Sequence, residues 1–252
     1  MNLFNLNGKK AIVTGAAGGL GRGMAEGLLE AEAEVVILDV SDKIYETAQE
    51  FTNKGLKAHA VKGDLSVRTN IIESFNKGLE MLGGTLDIII NNAGIQRRNK
   101  CEDFTLEDWD AVLEINLTSV FILCQLAGCH MIKKGKGKIV NMASMLSFFG
   151  GYTVPAYAAS KSGVAALTKA LSNEWSGKGI NVNAIAPGYM NTSLNTALIN
   201  DENRNKQILD RIPAGRWGVP EDLKGISVFL ASDASNYING AIIPVDGGYL
   251  VK

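Results

Sequence analysis

Tyr157-Ala158-Ala159-Ser160-Lys161 sets a phenol and an ammonium four positions apart in a run of helix formers. On a helix this spacing stacks the two side chains on one face, one turn apart. A free tyrosine keeps its proton to a pH of about 10. A neighbouring ammonium favours the phenolate and lowers that value. The pair is therefore suited to general acid/base work. Alone, the same spacing fits a half-buried ring beside a solvated cation equally well.

A second stretch is suited to holding a phosphate. Thr14-Gly15-Ala16-Ala17-Gly18-Gly19-Leu20-Gly21 follows a short apolar run and precedes a helical pattern. Glycines between a strand and a helix let the backbone turn sharply and approach a pyrophosphate. The helix N-terminus adds free N–H groups and a positive dipole end. Asp39 stands 18 residues after Gly21, at the end of the next apolar run. An acid near that offset accepts hydrogen bonds from the adenosine ribose hydroxyls, and its charge repels a 2′-phosphate. Neither Val40 nor Ser41 offers a compensating cation, although Arg22 follows the last glycine. The expected cofactor is NAD.

These residues need elements to position them, and the chain alternates short apolar runs with longer amphipathic ones. Strands are expected at Lys10–Thr14, Glu34–Asp39, Leu56–Val61, Leu86–Ile90, Lys138–Met142, Ile180–Ile185 and Ala241–Val245. Helices are expected at Leu20–Ala33, Ile44–Lys54, Thr69–Leu82, Ala156–Trp175 and from Pro220 to Leu230. Thr105-Leu106-Glu107-Asp108 has the form of a capping box and opens a helical region reaching Lys133. Continuously apolar strands separated by helices imply a parallel sheet covered on both faces. The expected class is α/β, a three-layer doubly wound Rossmann fold with a seven-stranded, mostly parallel sheet. Residues 1–252 form one domain. Within it, residues 190–215 are polar, rich in asparagine and lack a strand pattern, and are expected to form a substrate-side flap.

Composition narrows the partners. The 252 residues carry a formal net charge of -1, which argues against nucleic acid or an anionic membrane surface. Apolar content of 46% is ordinary for a globular domain, while 28 glycines point to many tight turns. The three cysteines, Cys101, Cys124 and Cys129, do not form a disulfide framework. Cys124, Cys129 and His130 match no common zinc spacing, so no metal is expected. The first ten residues lack an apolar signal core, and no stretch reads as the ~18 apolar residues needed to cross a membrane. A cytoplasmic location is expected.

The glycine spacing G-x-x-x-G-x-G is not the usual G-x-G-x-x-G, and it is one of several motifs that stand in order along the chain. With Asp64-Leu65, Asn91-Asn92-Ala93-Gly94, Asn116, Ser144, Tyr157, Lys161 and Pro187-Gly188 followed by Thr192, the sequence resembles the classical short-chain dehydrogenase/reductases over essentially its full length. The resemblance implies that Gly15, Gly18, Gly19, Leu20, Gly21, Asp39, Asp64, Leu65, Asn91, Ala93, Gly94, Tyr157, Lys161, Pro187, Gly188 and Thr192 bind the dinucleotide. It implies a catalytic set of Asn116, Ser144, Tyr157 and Lys161. Tyr157 would exchange the alcohol proton, and Ser144 would bind the substrate oxygen. Lys161 would lower the tyrosine pKa and hold the nicotinamide ribose. Asn116 would fix a water that connects Lys161 to solvent. A Ser-His-Asp hydrolase is excluded, because Ser144 lacks the G-x-S-x-G setting and neither His59 nor His130 is near such an elbow.

Three further stretches, Gly94–Arg98, Ser144–Phe148 with Gly150-Gly151, and Pro213–Gly218, are similar to the members of that family that act on six-carbon sugar acids in hexuronate (pectin) breakdown. Gln96, Arg97, Ser144, Leu146, Tyr189 and Arg216 are the expected substrate residues, and Tyr152 is a further hydroxyl-binding candidate. Arginine grips a carboxylate bidentately, so at least one of Arg97, Arg98 and Arg216 is expected to hold the substrate's. A 3-oxoacyl carrier-protein reductase would prefer NADPH, which Asp39 disfavours. A dinucleotide sensor without catalysis would not need Ser144, Tyr157 and Lys161 together. The family resemblance also implies a homotetramer.

Overall fold

The computed structural model describes residues 3–252. It contains β1 (Lys10–Thr14), α1 (Gly19–Glu30), β2 (Glu34–Asp39), α2 (Lys43–Asn53), β3 (Ala58–Lys62), α3 (Arg68–Met81) and β4 (Ile88–Asn91). There follow α4 (Leu106–Leu113), α5 (Ser119–Lys134), β5 (Gly137–Met142), α6 (Pro155–Trp175) and β6 (Ile180–Pro187). The last elements are α7 (Thr196–Asn200), α8 (Glu202–Arg211), α9 (Lys224–Ala231) and β7 (Ile242–Val245).

The strands lie in the order β3-β2-β1-β4-β5-β6-β7, and every neighbouring pair is parallel. Their apolar runs feed two cores, because successive side chains point to opposite faces. Ala11, Val13, Val35, Ile37, Ile88 and Ile90 pack with Met24, Leu28, Phe51 and Leu230, from α1, α2 and α9. Ile12, Val36, Leu38, Ile89, Ile139 and Val182 pack with Phe75, Leu123, Met131, Val164 and Trp175, from α3, α5 and α6. Fully burying each such side chain contributes about 1.5–3 kcal/mol.

The strand order reverses between β1 and β4. The chain leaves β1 toward β2 and β3, then crosses back to β4. At such a switch point the connecting loops part and leave a crevice at the carboxyl ends of the strands.

One region differs from the sequence-based expectation. The helix opened by Thr105 is not continuous. The Thr105 hydroxyl accepts the Asp108 N–H at 3.1 Å, but between α4 and α5 a π-turn over Glu114–Thr118 inserts an extra residue. That turn carries Asn116, which is fully buried. Single π-turns of this kind re-aim a side chain, and here the side chain bonds to a neighbouring loop. The run Leu106–Lys134, 29 residues, is also long and apolar enough to cross a membrane by length and composition, contrary to the reading that no such stretch exists. Its apolar residues serve the core instead, with Val120, Leu123, Cys124, Ala127 and Met131 buried against the sheet.

Residues 190–215 hold a pair of helices, α7 and α8. Their base is tied by Asn191 N–H to Gly218 O at 2.7 Å and Gly218 N–H to Tyr189 O at 2.9 Å. Ile208 and Ile212 pack with Met145, Tyr189, Trp217 and Tyr249.

Candidate active site

The loops after six strands line one cleft of about 460 Å³. The glycine turn forms one end. A Cβ on Gly21 would collide with the carbonyl oxygen of Gly15, and one on Gly15 would lie 2.8 Å from Ala93 Cα. These two glycines let the turn fold onto itself and onto β4. Gly18 has open space where a Cβ would sit, and Gly19 has only Thr192 Cγ2 at 3.9 Å. Bare backbone therefore faces the cleft, with room for a pyrophosphate. Gly18 caps α1 without a side-chain bond, so no side chain competes for the first-turn N–H groups. These features fit a dinucleotide.

Polar bonds fix the turn. The Thr14 hydroxyl accepts the N–H groups of Asn92 and Ala93, each at 3.0 Å. The Asn92 amide donates to Thr14 O and Gly15 O, each at 3.0 Å. Asp39 accepts from Ala17 N at 3.0 Å through one oxygen and from Ser41 N at 3.0 Å through the other. Asp64 accepts from Ser66 N and Ser66 Oγ, and these bonds hold its carboxyl below the usual range.

Of the residues expected at the dinucleotide, Gly15, Gly18, Gly19, Leu20, Asp39, Asp64, Leu65, Ala93, Gly94, Tyr157, Lys161, Pro187, Gly188 and Thr192 line the cleft. Gly21 and Asn91 do not. Asn91 is buried behind the cleft, and its amide donates to Asn141 Oδ1 at 2.8 Å and to Cys124 Sγ at 3.3 Å. The last residue of β4 points into the core, and Asn92, one position on, serves the turn. Alternation along the chain decides this.

At the other end Ser144, Tyr157 and Lys161 share the wall. Lys161 donates to Met142 O at 2.7 Å and has no carboxylate partner among the described residues. Burial pushes its pKa down to about 8. Its Nζ lies 5.7 Å from the Tyr157 ring centroid. Burial pushes the Tyr157 phenol up, while hydrogen bonding from Ser144 and the charge of Arg98 pull it back. Desolvation is the largest of these influences, and the phenol stands above its ordinary value. Lys161, the cation the sequence pointed to, is the one in contact range of the ring, and the charge of Arg98 adds to the pull on the phenol.

Asn116 lies outside the cleft lining. Its Oδ1 accepts from Ile95 N at 2.8 Å, and its Nδ2 donates to Ile95 O at 2.9 Å and to Ser160 Oγ at 3.3 Å. Its amide clamps the loop after β4 to α6 beside Tyr157. Ser147 is a residue the sequence reading passed over. Its hydroxyl donates to Lys161 O at 2.7 Å and accepts from Ser144 N at 3.3 Å. Ser144-x-x-Ser147 is a capping-box spacing and was legible as such.

The expected substrate residues divide. Ser144 lines the cleft, but Gln96, Arg97, Leu146, Tyr189 and Arg216 do not. Arg97 is exposed and pairs with Asp108 at 3.2 Å. Arg216 makes a two-point pair with Asp222 at 2.7 and 2.8 Å, which holds that carboxyl at about 2. With Tyr189, Arg216 borders a separate cavity of about 170 Å³. Leu146 N–H donates to Ser144 Oγ at 3.1 Å, and Tyr152 is 90% exposed. Arg98 is likewise exposed and outside the cleft lining, but it differs from Arg97 and Arg216 in its partners. It has no ion pair among the described residues and donates to Gln96 Oε1 at 3.2 Å. Burial lowers its pKa, and Tyr189 and Tyr157 act on it electrostatically.

Among the described residues no three His, Cys, Asp or Glu side chains converge on a point. His59 pairs with Glu34 at 2.8 Å, and His130 accepts from Leu86 N at 3.2 Å. All three cysteines are free thiols.

Known proteins match this arrangement. A family model described as enoyl-(acyl carrier protein) reductase matches residues 15–250. The 2-dehydro-3-deoxy-D-gluconate 5-dehydrogenase of Bacillus subtilis (strain 168) is 50% identical over 249 residues, 99% of this chain and 97% of that protein. The crystal structure of a gluconate 5-dehydrogenase from Burkholderia cenocepacia J2315, in complex with NADP and tartrate, superposes with a TM-score of 0.95. It is 39% identical and covers 100% of this chain and 98% of its own. A short-chain type dehydrogenase/reductase from Mycobacterium marinum gives a TM-score of 0.94 at 34% identity, over 100% and 99% of the two chains. Sequence and fold agree over the full length, and the chain belongs to the short-chain dehydrogenase/reductase family as a nucleotide-dependent oxidoreductase of CH–OH groups.

Proposed function

We propose that this protein interconverts a secondary alcohol and a ketone on a six-carbon sugar acid with NAD, the substrate pair being 2-dehydro-3-deoxy-D-gluconate and 3-deoxy-D-glycero-2,5-hexodiulosonate. The observation that carries the reading is the shared cleft wall of Ser144, Tyr157 and Lys161, beside an exposed loop after β4 on which Arg98 has no carboxylate partner among the described residues. A guanidinium so placed offers the acid group of a substrate its counter-charge while the reacting hydroxyl faces the phenol. The Bacillus relative carries that substrate in its name, and the Burkholderia structure holds tartrate, itself a hydroxy acid.

In oxidation Tyr157, as phenolate, takes the proton of the substrate hydroxyl. Ser144 donates a hydrogen bond to the same oxygen and holds it against the phenol. Lys161, fixed by Met142 O, keeps a positive charge beneath the ring. Asn116 and Ser147 act by position, one clamping the loop of Ile95 and the other the α6 backbone at Lys161. Bound nicotinamide supplies the hydride acceptor, or the donor in reduction.

NAD is preferred in this reading because Asp39 lines the cleft at the end of β2 and would repel a 2′-phosphate. The NADP in the Burkholderia relative makes direct comparison of the two dinucleotides necessary. We further propose a cytoplasmic enzyme of pectin-derived hexuronate breakdown that assembles as a homotetramer. Leu106 and Phe121 leave apolar surface exposed on α4 and α5, which supports association through that face. Light scattering on the purified protein tests the assembly.

The deciding experiment is a screen of dinucleotide reduction with 2-dehydro-3-deoxygluconate, gluconate and 2-deoxygluconate. Turnover of the first, strongest with NAD, is the expected result. Preference for gluconate would favour the second reading, a gluconate 5-dehydrogenase, which the Burkholderia match supports. Failure of all three would overturn both.

A further inference from the structure

Helix α2 buries Ile44, Thr47, Ala48 and Phe51. The three apolar residues join the core that holds Val13 and Ile37. Thr47 is 1% exposed, and a hydroxyl buried on an apolar face is destabilising unless it finds a partner. A threonine inside a helix commonly donates to the carbonyl four residues back. Buried Ser119, Thr168 and Ser227 do this, at 2.6, 2.8 and 2.7 Å. Thr47 instead reaches out of its helix and donates to Ala17 O, 30 residues away in the glycine turn, at 3.0 Å.

Ala17 is thereby held on both sides. Its N–H donates to the Asp39 carboxylate at 3.0 Å, and its carbonyl accepts from Thr47. The consequence falls on the next residue. The Ala17 carbonyl and the Gly18 N–H belong to one trans peptide, so they point in opposite directions. Fixing the carbonyl on α2 turns the Gly18 N–H away from α2. Gly18 lines the cleft, with open space where a Cβ would sit. It has no side chain to hold the peptide plane, and no side-chain bond caps α1 there, so the restraint comes from the partners of Ala17. A rotated peptide would set its carbonyl, the negative end of the group, against the phosphate oxygens of a dinucleotide.

We propose that Thr47 is a positioning residue for the dinucleotide: from α2 it holds the Ala17–Gly18 peptide so that the Gly18 N–H faces the phosphates. The proposal rests on dinucleotide use and not on the identity of the sugar acid. Asp39 and Thr47 then divide the work on one residue of the turn. The carboxylate of Asp39 acts on the adenosine ribose, where NAD and NADP differ. The hydroxyl of Thr47 acts through the backbone on the pyrophosphate, which the two dinucleotides share.

Calorimetric titration of Thr47→Val and Thr47→Ser with NAD, NADP and adenosine tests this without any substrate. Thr47→Val keeps the shape and removes the donor. It should raise Kd for NAD and NADP by the same factor, at least about fivefold, and leave Kd for adenosine, which carries no phosphate, at the wild-type value. Thr47→Ser restores the hydroxyl and should bind both dinucleotides within about twofold of wild type. If the valine variant does not fold, Thr47→Ala removes the same hydroxyl without placing a methyl against the carbonyl and is read in the same way. Unchanged Kd with a lowered melting temperature would make the bond a structural tie only and overturn the proposal. A rise confined to NAD would trace the effect to the ribose and overturn it, as would an equal weakening of adenosine. A serine variant no better than valine would assign the effect to the lost methyl packing and overturn it too.

Discussion

The ammonium of Lys161 lies 5.7 Å from the Tyr157 ring centroid and donates to the Met142 carbonyl at 2.7 Å. The helical spacing of α6 sets the first relationship, and the end of β5 sets the second. The strand carbonyl holds the lysine in place beneath the ring, so the cation is positioned before any ligand arrives. Tyr157→Phe keeps the ring and removes the exchangeable proton. It should lower kcat about 10²–10⁴-fold while the melting temperature stays at the wild-type value. Activity within a factor of a few of wild type would remove Tyr157 from the chemistry.

The pH profile should run in opposite senses for the two directions. Burial holds the Tyr157 phenol above its ordinary value, and the Arg98 charge draws it back. Oxidation needs the phenolate, so its kcat/KM should climb with pH through the alkaline range. Reduction needs the phenol and should decline over the same range. Arg98→Gln removes one stabilising cation and should move both limbs to higher pH. Profiles that leave the limbs where wild type has them would show that Arg98 does not act on Tyr157.

Asp39 offers a test of dinucleotide choice. Its oxygens bond to Ala17 N and Ser41 N, so a variant must remove the charge and keep an acceptor. Asp39→Asn should shift the ratio of kcat/KM for NAD over NADP toward NADP by at least about tenfold, ~1.4 kcal/mol. An unchanged ratio would mean that the carboxylate only shapes the turn.

Lys138 titrates far from the cleft. It is 4% exposed and donates to Ser235 Oγ and Asn236 Oδ1, and burial pushes its pKa down to about 8. Between about pH 8 and the ordinary lysine value of about 10.4, the unfolded chain holds this proton more tightly than the folded one. Stability therefore rises with pH across that window, by up to ~3 kcal/mol from this group. Below it both states are charged and this contribution is flat. Lys161 shifts in the same direction, so the measurement is a difference. Urea melts from about pH 7 to 10 should show a shallower rise in Lys138→Met than in wild type.

Thr153 has a φ of 61°, a region that a β-branched side chain disfavours by about 1–2 kcal/mol. Its carbonyl accepts Asn99 N–H at 3.0 Å, joining the loop after β4 to the loop that leads into α6. Thr153→Gly adopts this conformation without strain, although a freer unfolded chain offsets part of the gain. The net change in urea melts should lie within about 1 kcal/mol of wild type. Thr153→Val keeps the strain and should not gain stability. A loss of several kcal/mol in the glycine variant would mean that the side chain, and not the backbone, holds this corner.

Much of this molecule was legible because its signals are local. The strand runs, the helix periods, the glycine turn and the Tyr157–Lys161 spacing each follow from a few consecutive residues, and the parallel sheet follows from their alternation. Asn116 was legible as a residue but not as a clamp, because its partners Ile95 and Ser160 come from other segments. The π-turn that aims it leaves no mark in a pattern of apolar residues. Asn91 shows the same limit, since one step along the chain at the end of β4 separates a core amide from a cleft residue.

The arginines mark the boundary most clearly. Local spacing indicated a dinucleotide turn and a tyrosine suited to proton exchange, the family resemblance implied hydride transfer, and both put Arg97, Arg98 and Arg216 on loops expected near the site. Only the tertiary structure decided among them. An ion pair forms where a carboxylate is carried within reach, and Asp108 reaches Arg97 while Asp222 reaches Arg216. Among the described residues no carboxylate pairs with Arg98, which bonds Gln96 Oε1 instead. A charge left unpaired is a property of the space around it, and no stretch of sequence contains that space.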